Sequence, residues 1–288
     1  MPIDSDLALG HELPEYGYSY TPDQVILYHL GIGAGVPATD ADELAYTYEK
    51  ALKVLPSFAV IPPMRSGKHL NSVPGLDFDY AKMLHGEQAL ELHRPIPTSG
   101  SVVNRGRIVE IWDKGKAAVI VQEITTTDET GAPLFTTRSS LFMRGAGGFG
   151  GDPGPKTVNL QPDRAPDGVI SQTTLAQQAL IYRLSGDKNP LHVDPDAAKL
   201  GGFDTPIIHG LCSHGIVCKA LVDHVLGGDV TRVRSYRVRF AGVGYPGETY
   251  QISYWSEGNR IFANAASKER DAPIISNAVI ELIPPSIE

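Results

Sequence analysis

The chain has 288 residues, 42% hydrophobic and 20% charged, and a formal net charge of −8. That length suits two domains better than one core. The acidic balance excludes nucleic acid as the main partner, because phosphate backbones call for a basic face; a small phosphorylated molecule needs only a few local cations and stays open. No apolar run approaches the roughly 20 residues of a membrane span, so no membrane partner is expected. The start, Met1-Pro2-Ile3-Asp4-Ser5-Asp6, lacks the basic-then-apolar layout of a signal peptide, and Ser286-Ile287-Glu288 is not a Ser-Lys-Leu address. Cys212 and Cys218, the two cysteines, sit in an apolar helical run and read as reduced buried thiols, which points to the cytoplasm.

In chain order, residues 21–30 read as a helix with Pro22 at its start. Residues 56–75 carry Pro56, Pro62, Pro63, Gly67, Pro74 and Gly75, which no long helix survives. Runs rich in Val, Ile, Thr and Tyr then predict strands over 89–94, 101–112, 117–127 and 134–143, separated by turn residues. The stretch Arg144-Gly145-Ala146-Gly147-Gly148-Phe149-Gly150-Gly151-Asp152-Pro153-Gly154-Pro155 reads as a linker, dividing the chain into domains 1–150 and 151–288. The second part repeats the order. A one-sided helix is expected over 173–184 and a proline-free helix over 211–226, stopped by Gly227-Gly228. Strands follow over 233–240, 249–256, 260–269 and 273–282.

The two halves therefore look like copies. Tyr28-His29-Leu30-Gly31-Ile32-Gly33-Ala34 lies over Tyr182-Arg183-Leu184-Ser185-Gly186-Asp187-Lys188, which puts Gly33 at the place of Asp187 and Ala38 at the place of His192. On this reading the first copy has lost its chemistry.

The chemistry concentrates in Ser185-Gly186-Asp187-Lys188-Asn189-Pro190-Leu191-His192-Val193-Asp194-Pro195. A carboxylate, an amide and an imidazole share one short loop, stiffened by Pro190 and Pro195. Downstream, Thr205-Pro206-Ile207-Ile208-His209-Gly210 feeds a glycine to a helix start, where free N–H groups and the helix dipole favour negative charge. An acid/base pair beside such a terminus suits water addition to an activated carbonyl compound. Plainer readings exist. Asp187 could cap a turn. His192, His209, His214 and Asp194 could ligate a metal, although His209 and His214 are poorly spaced to share a face. Gly31-Ile32-Gly33-Ala34-Gly35 resembles a dinucleotide fingerprint but lacks the preceding strand and final spacing. Arg232, Arg234, Arg237 and Arg239 alternate along one strand, either as a solvated edge or as a seat for phosphate.

The loop 182–195, the segment 203–215 and Arg239-Phe240 with Tyr245-Pro246-Gly247-Glu248 resemble the MaoC-like, or type-2, enoyl-CoA hydratases over nearly the whole chain. The resemblance implies an α+β double hot-dog fold: two antiparallel sheets, a long central helix in the second copy and a reduced helix in the first. It implies reversible, R-specific hydration of a trans-2-enoyl-CoA with no cofactor and no metal, and a homodimer. Asp187 and His192 fall on the family's catalytic pair, and Gly210 on its oxyanion-hole amide. Substrate contacts fall on His85, Gly86, Lys114, Asn189 and Phe240. The missing helix at 56–75 predicts space beside the active half for a medium-to-long, branched or ring-bearing acyl group. A hot-dog thioesterase and a non-catalytic acyl-CoA-binding subunit are the competing functions. The paired Asp187 and His192 argue against the first, and the intact second half against the second.

Overall fold

The computed structural model describes residues 3–79 and 82–284. The first half runs through α1 (Ser5–Ala8), β1 (Tyr16–Tyr20), α2 (Pro22–Gly31), α3 (Ala41–Thr47), β2 (Met83–Leu92), β3 (Gly100–Asp113), β4 (Ala117–Asp128) and β5 (Pro133–Arg144). The second runs through β6 (Gly168–Thr173), α4 (Gln178–Tyr182), α5 (Pro195–Leu200), α6 (Gly210–Leu226), β7 (Val233–Phe240), β8 (Thr249–Glu257), β9 (Arg260–Ser267) and β10 (Ala272–Leu282).

Among the described residues the strands make one antiparallel sheet in the order β1-β3-β4-β5-β2-β7-β10-β9-β8-β6. Each half contributes five strands in the same permuted order. The two expected sheets are thus halves of one, joined where β2 pairs with β7 from Glu87↔Arg239 to Glu91↔Ser235. The junction gives both strands the partner that a free edge would lack. The duplication extends to hydrogen bonds. Thr21 donates its N–H to Gln24 Oε1 at 2.7 Å, and Leu175 does the same to Gln178 Oε1 at 2.9 Å. Tyr28 and Tyr182, equivalent in the two copies, meet with ring centroids 6.1 Å apart.

The sheet wraps α6, a 17-residue helix that Gly227 ends at φ 62°, as its glycine stop predicts. Cys212, Ile216, Val217, Ala220 and Leu221 are buried along it. Lys219 is buried too. It pairs with Glu43 at 2.6 Å and Asp223 at 2.8 Å, and Tyr46 donates to Asp223 at 2.7 Å, which fastens α3 of the first half to the helix.

Four sequence expectations change. The helix over 173–184 is shorter, because Thr173 belongs to β6, paired with Thr249, and the chain leaves α4 through a 3₁₀ turn, Arg183–Ser185. The outer strands β1 and β6 were not foreseen. The space expected at 56–75 is occupied: 3₁₀ turns Pro56–Val60 and Met64–Ser72 replace the helix, and Leu55, Phe58 and Ala59 are completely buried against α6 and the sheet. The linker is docked. Asp113 accepts from Gly148 and Gly150 N–H groups at 2.8 Å each, and its own N–H donates to Asp152 O at 2.7 Å. As for the arginines, Arg237 and Arg239 alternate with the buried Tyr236 and Val238. A register shift at Arg234 turns it outward too, where it faces Glu91 at 3.5 Å, and Arg232 lies before the strand in the 3₁₀ turn Val230–Arg232.

Candidate active site

The loop between α4 and α5 is shaped by its own side chains. Gly186 adopts φ 138°, a backbone shape that side chains resist. Asp187 Oδ1 accepts the Asn189 N–H at 3.1 Å, and Asn189 Oδ1 caps the 3₁₀ turn Pro190–His192 by accepting the Leu191 N–H at 3.1 Å. Asn189 is exposed and holds the loop. Asp194 caps α5 through the Asp196 N–H at 2.9 Å.

These turns carry the His192 ring inward, where it is 8% exposed. Its Nδ1 lies 2.9 Å from Ile207 O. A carbonyl oxygen only accepts, so Nδ1 bears the proton and Nε2 keeps a free lone pair. Burial pushes the His192 pKa below its usual value, so the ring is neutral at pH 7. The Ile207 segment is itself fixed: Ile208 N–H donates to Gly244 O at 2.8 Å, just before the Tyr245-Pro246-Gly247-Glu248 turn.

The same segment delivers α6. His209 is its N-cap residue but makes no side-chain cap, so its own side chain leaves the first N–H groups of the helix open. A Cβ placed on Gly210 would stand 3.3 Å from the Phe240 ring, so glycine is what lets that ring approach the helix start. Phe240 in turn packs edge-on against His85, with centroids 4.9 Å apart. His85 owes its inward direction to a β-bulge. Pairing with β5 shifts between His85↔Leu141 and Glu87↔Ser140, leaving Gly86 as the extra residue. If Gly86 were an ordinary paired residue, the alternation that turns Gln88 and Leu90 inward would turn His85 out. Its Nε2 is buried without a partner, and burial, opposed by contacts that include the Asp187 charge, pushes its pKa down to about 4.

The structure thus gathers Asp187, His192, Gly210, Phe240, His85 and Gly86 where β2 meets β7. Lys114 is not gathered. It sits on the turn between β3 and β4, which lie three and two positions from β2 in the sheet, or about 10–14 Å across at the usual strand spacing. Its ammonium group bonds Pro153 O and, at 3.0 Å, Pro155 O. His209 is the residue that sequence reasoning placed only as a metal ligand. Its ring stacks on His192 with centroids 3.7 Å apart. Ligand atoms of Asp187, His192 and His209 all lie within 4.8 Å of one another, close enough for a divalent cation, and they are the one such cluster among the described residues. His214, the other expected ligand, lies deeper on α6 against Tyr236, at 4.5 Å. An open cavity of about 300 Å³, lined by Ala176, Ala179, Leu180, Val193 and Tyr245, reaches His192 from the surface.

Comparison with known proteins places the chain in a family. Residues 18–145 match the MFE-2 hydratase 2 N-terminal domain, and residues 157–278 match the MaoC like domain. The chain is 45% identical to enoyl-CoA hydratase ChsH3 of Mycobacterium tuberculosis, over 99% of this chain and 100% of that protein. The chain belongs to the MaoC-like enoyl-CoA hydratase family. It is also 42% identical to the mouse (Mus musculus) peroxisomal multifunctional enzyme type 2 over 97% of this chain, although it spans only 38% of that longer protein. The crystal structure of a MaoC-like dehydratase from Phytophthora capsici superposes with a TM-score of 0.86 at 34% identity, over 98% of this chain and 99% of that one. The double hot-dog architecture and its membership of a hydratase family therefore stand together. Among the described residues, no helix is long and apolar enough to cross a membrane.

Proposed function

We infer that the protein adds water reversibly across the double bond of a trans-2-enoyl-CoA, giving a (3R)-3-hydroxyacyl-CoA. The observation that carries this reading is the placement of Asp187 and a neutral His192, with one free nitrogen, beside an uncapped helix start at Gly210. One water held between the Asp187 carboxylate and His192 Nε2 supplies everything the reaction needs. Its oxygen attacks the β-carbon while the pair takes up a proton and returns one to the α-carbon. Because both come from one water, they add to the same face. The charge that gathers on the thioester oxygen is met by the Gly210 N–H, and losing one such donor typically costs about 3 kcal/mol of barrier. Water is the only co-reactant, so this route calls for neither cofactor nor metal. Asn189 acts by shaping the loop, and His85, Gly86 and Phe240 form the wall against which the substrate lies.

On this reading residues 151–288 carry the chemistry and residues 1–150 accommodate the acyl group, with Lys114 meeting the CoA end. Met64 supports that division: its Sδ would lie 3.1 Å from a Cβ built on Gly186, so the first half reaches the catalytic loop. A tail that leaves the site toward Met64 would gain apolar contact from the first half, and on that route medium-to-long or bulky groups are favoured over crotonyl. Free, buried Cys212 and Cys218 suit the reducing cytoplasm. A homodimer would cover exposed apolar side chains such as Leu184, which is 54% exposed; light scattering after gel filtration tests it.

Incubation with crotonyl-CoA and with a ten-carbon enoyl-CoA decides the reaction. Loss of the conjugated-thioester absorbance with CoA still attached is the expected result, faster for the longer chain. Release of free thiol would make the protein a thioesterase, and no change would leave a binding subunit.

A further inference from the structure

His209 has no part in the mechanism above, yet it touches every component of it. It is the N-cap residue of α6, directly before Gly210. Its ring lies on the His192 ring, centroids 3.7 Å apart and planes 29° apart, and also meets the Tyr182 ring, centroids 4.9 Å apart. Its Nε2 is 3.3 Å from Asp187 O, so this nitrogen carries the proton and donates it to the backbone of the catalytic carboxylate residue. Its own carbonyl accepts the Ser213 N–H at 3.1 Å, which starts the helix ladder. Its Nδ1 is buried without a partner.

We propose that His209 is a positioning residue, resting on the hydratase reading: a neutral plate that holds the His192 ring and the Asp187 backbone in register with the N–H groups at the start of α6. Three demands meet in one side chain. The plate must be flat to lie on an imidazole, must donate one hydrogen bond to Asp187 O, and must stay uncharged when His192 takes a proton, since two stacked cations would repel. Imidazole meets all three, and burial, reinforced by the His192 ring, lowers its pKa well below the usual value. A shift of a fraction of an ångström between acid/base loop and oxyanion helix matters because both act on one thioester.

The test separates the plate from the donor. His209→Phe keeps a flat ring and loses the donor; His209→Gln keeps a donor and loses the ring. Each should lower kcat at least tenfold on crotonyl-CoA while KM stays within about threefold. His209→Gln should also move the acid limb of the kcat/KM profile to higher pH, because water then reaches the His192 ring and relieves the burial that depresses its pKa; His209→Phe should leave that limb in place. Wild-type kcat in both variants, or an unmoved acid limb in His209→Gln, would overturn the proposal. Histidine ¹⁵N spectra of the wild-type protein at pH 7 give a measurement that needs no variant. They should show His192 protonated at Nδ1 and His209 at Nε2, both neutral; a charged His209 or the other tautomer overturns the proposal. A wild-type protein that hydrates no enoyl-CoA would fail the hydratase reading instead, with the spectra still deciding the geometry.

Discussion

The two copies carry the same helix at the same place and do different things with it. At the end of α2 the chain continues through Gly33, at φ 93°; at the end of α4 the equivalent residue is Asp187. The contrast is sharpest in the histidines. His29 of the first copy has both ring nitrogens engaged: Nδ1 donates to Tyr46 O at 2.8 Å, and Nε2 accepts the Leu55 N–H at 3.2 Å. His192 of the second has one nitrogen anchored on Ile207 O and the other free. A buried imidazole with two partners is a strut, whereas one with a single anchor and a free lone pair is placed to move a proton. What separates the copies is therefore the number of unsatisfied atoms left at the end of a shared fold.

Removing the free groups should produce the largest effect. Asp187→Asn and His192→Ala are each expected to lower hydration roughly 10²–10⁴-fold, the usual worth of positioned acid/base groups, with unfolding temperature little changed. Turnover within a few-fold of wild type for either would end the catalytic assignment. The converse change in the first copy should gain nothing. Gly33→Asp puts a side chain where φ is 93° and has Ala38 where a histidine would be required, so the double variant Asp187→Asn/Gly33→Asp should stay inactive.

Next in size is Gly210→Ala. The new Cβ would meet Phe240 at 3.3 Å, tighter than ordinary contact, so the ring or the helix start must give way. A loss of about tenfold or more in kcat is expected, since misplacing one oxyanion donor forfeits part of the roughly 3 kcal/mol it contributes. An unchanged rate would mean that the thioester oxygen does not lie there.

Much of this contrast was legible in the sequence because it rests on local signals. Turn residues bounded most of the eight long strands, and β7 spans the expected residues 233–240. But β2 runs Met83–Leu92 where 89–94 was expected, because its bulged first part at His85 and Gly86 breaks the alternation that marks a strand. The Asp187–His192 spacing and the glycine at a helix start were legible for the same reason. What escaped depends on pairing between distant segments. β1 and β6 are short edge strands whose identity comes from their partners β3 and β8. The filling of the 56–75 region depends on where Phe58 and Leu55 pack, and proline spacing shows only that no long helix forms there. His209 carried one usable signal, its place directly before the helix glycine, but its stack on His192 is a contact across 17 positions that no spacing rule predicts.

The strut should reveal itself through stability. His29→Leu leaves the Leu55 N–H and the Tyr46 carbonyl buried without partners, which costs about 2–4 kcal/mol of unfolding free energy, while hydration per folded molecule should be unchanged. Burial holds the His29 pKa down at about 4, so between pH 6.5 and 4 the unfolded chain binds a proton that the folded one does not. Stability is accordingly lost as pH falls through this window, at up to about 1.4 kcal/mol per unit for one such group. Denaturant titrations at pH 7 and pH 5 should show this loss shrinking in His29→Leu. Equal pH dependence in both proteins would show that His29 is not held neutral.

Lys114→Ala tests whether the first copy still helps with substrate. The ammonium group is exposed and already bound to linker carbonyls. Any attraction for a CoA phosphate competes with those bonds and is screened by solvent. A rise in KM of about two- to fivefold at low salt, vanishing at high salt and leaving kcat alone, is the expected signature. A change in kcat would require Lys114 to act on the chemistry from two to three strands away.

The smallest expected effect is that of chelation. Asp187, His192 and His209 stand close enough to hold a divalent ion, so the cluster invites a metal reading. The lone pair that would bind the ion, however, is the one on His192 Nε2 that takes the proton from water in the proposed mechanism, and an ion occupying it would remove the base. Metal and acid/base catalysis therefore compete for one atom, and the first copy, with Gly33 and Ala38 at the equivalent places, has neither. Exhaustive chelation should leave the hydration rate unchanged, whereas added zinc should inhibit the second copy's chemistry. A rate that falls on chelation and returns with zinc would convert the three residues into a ligand shell and reverse the assignment of His192 as base.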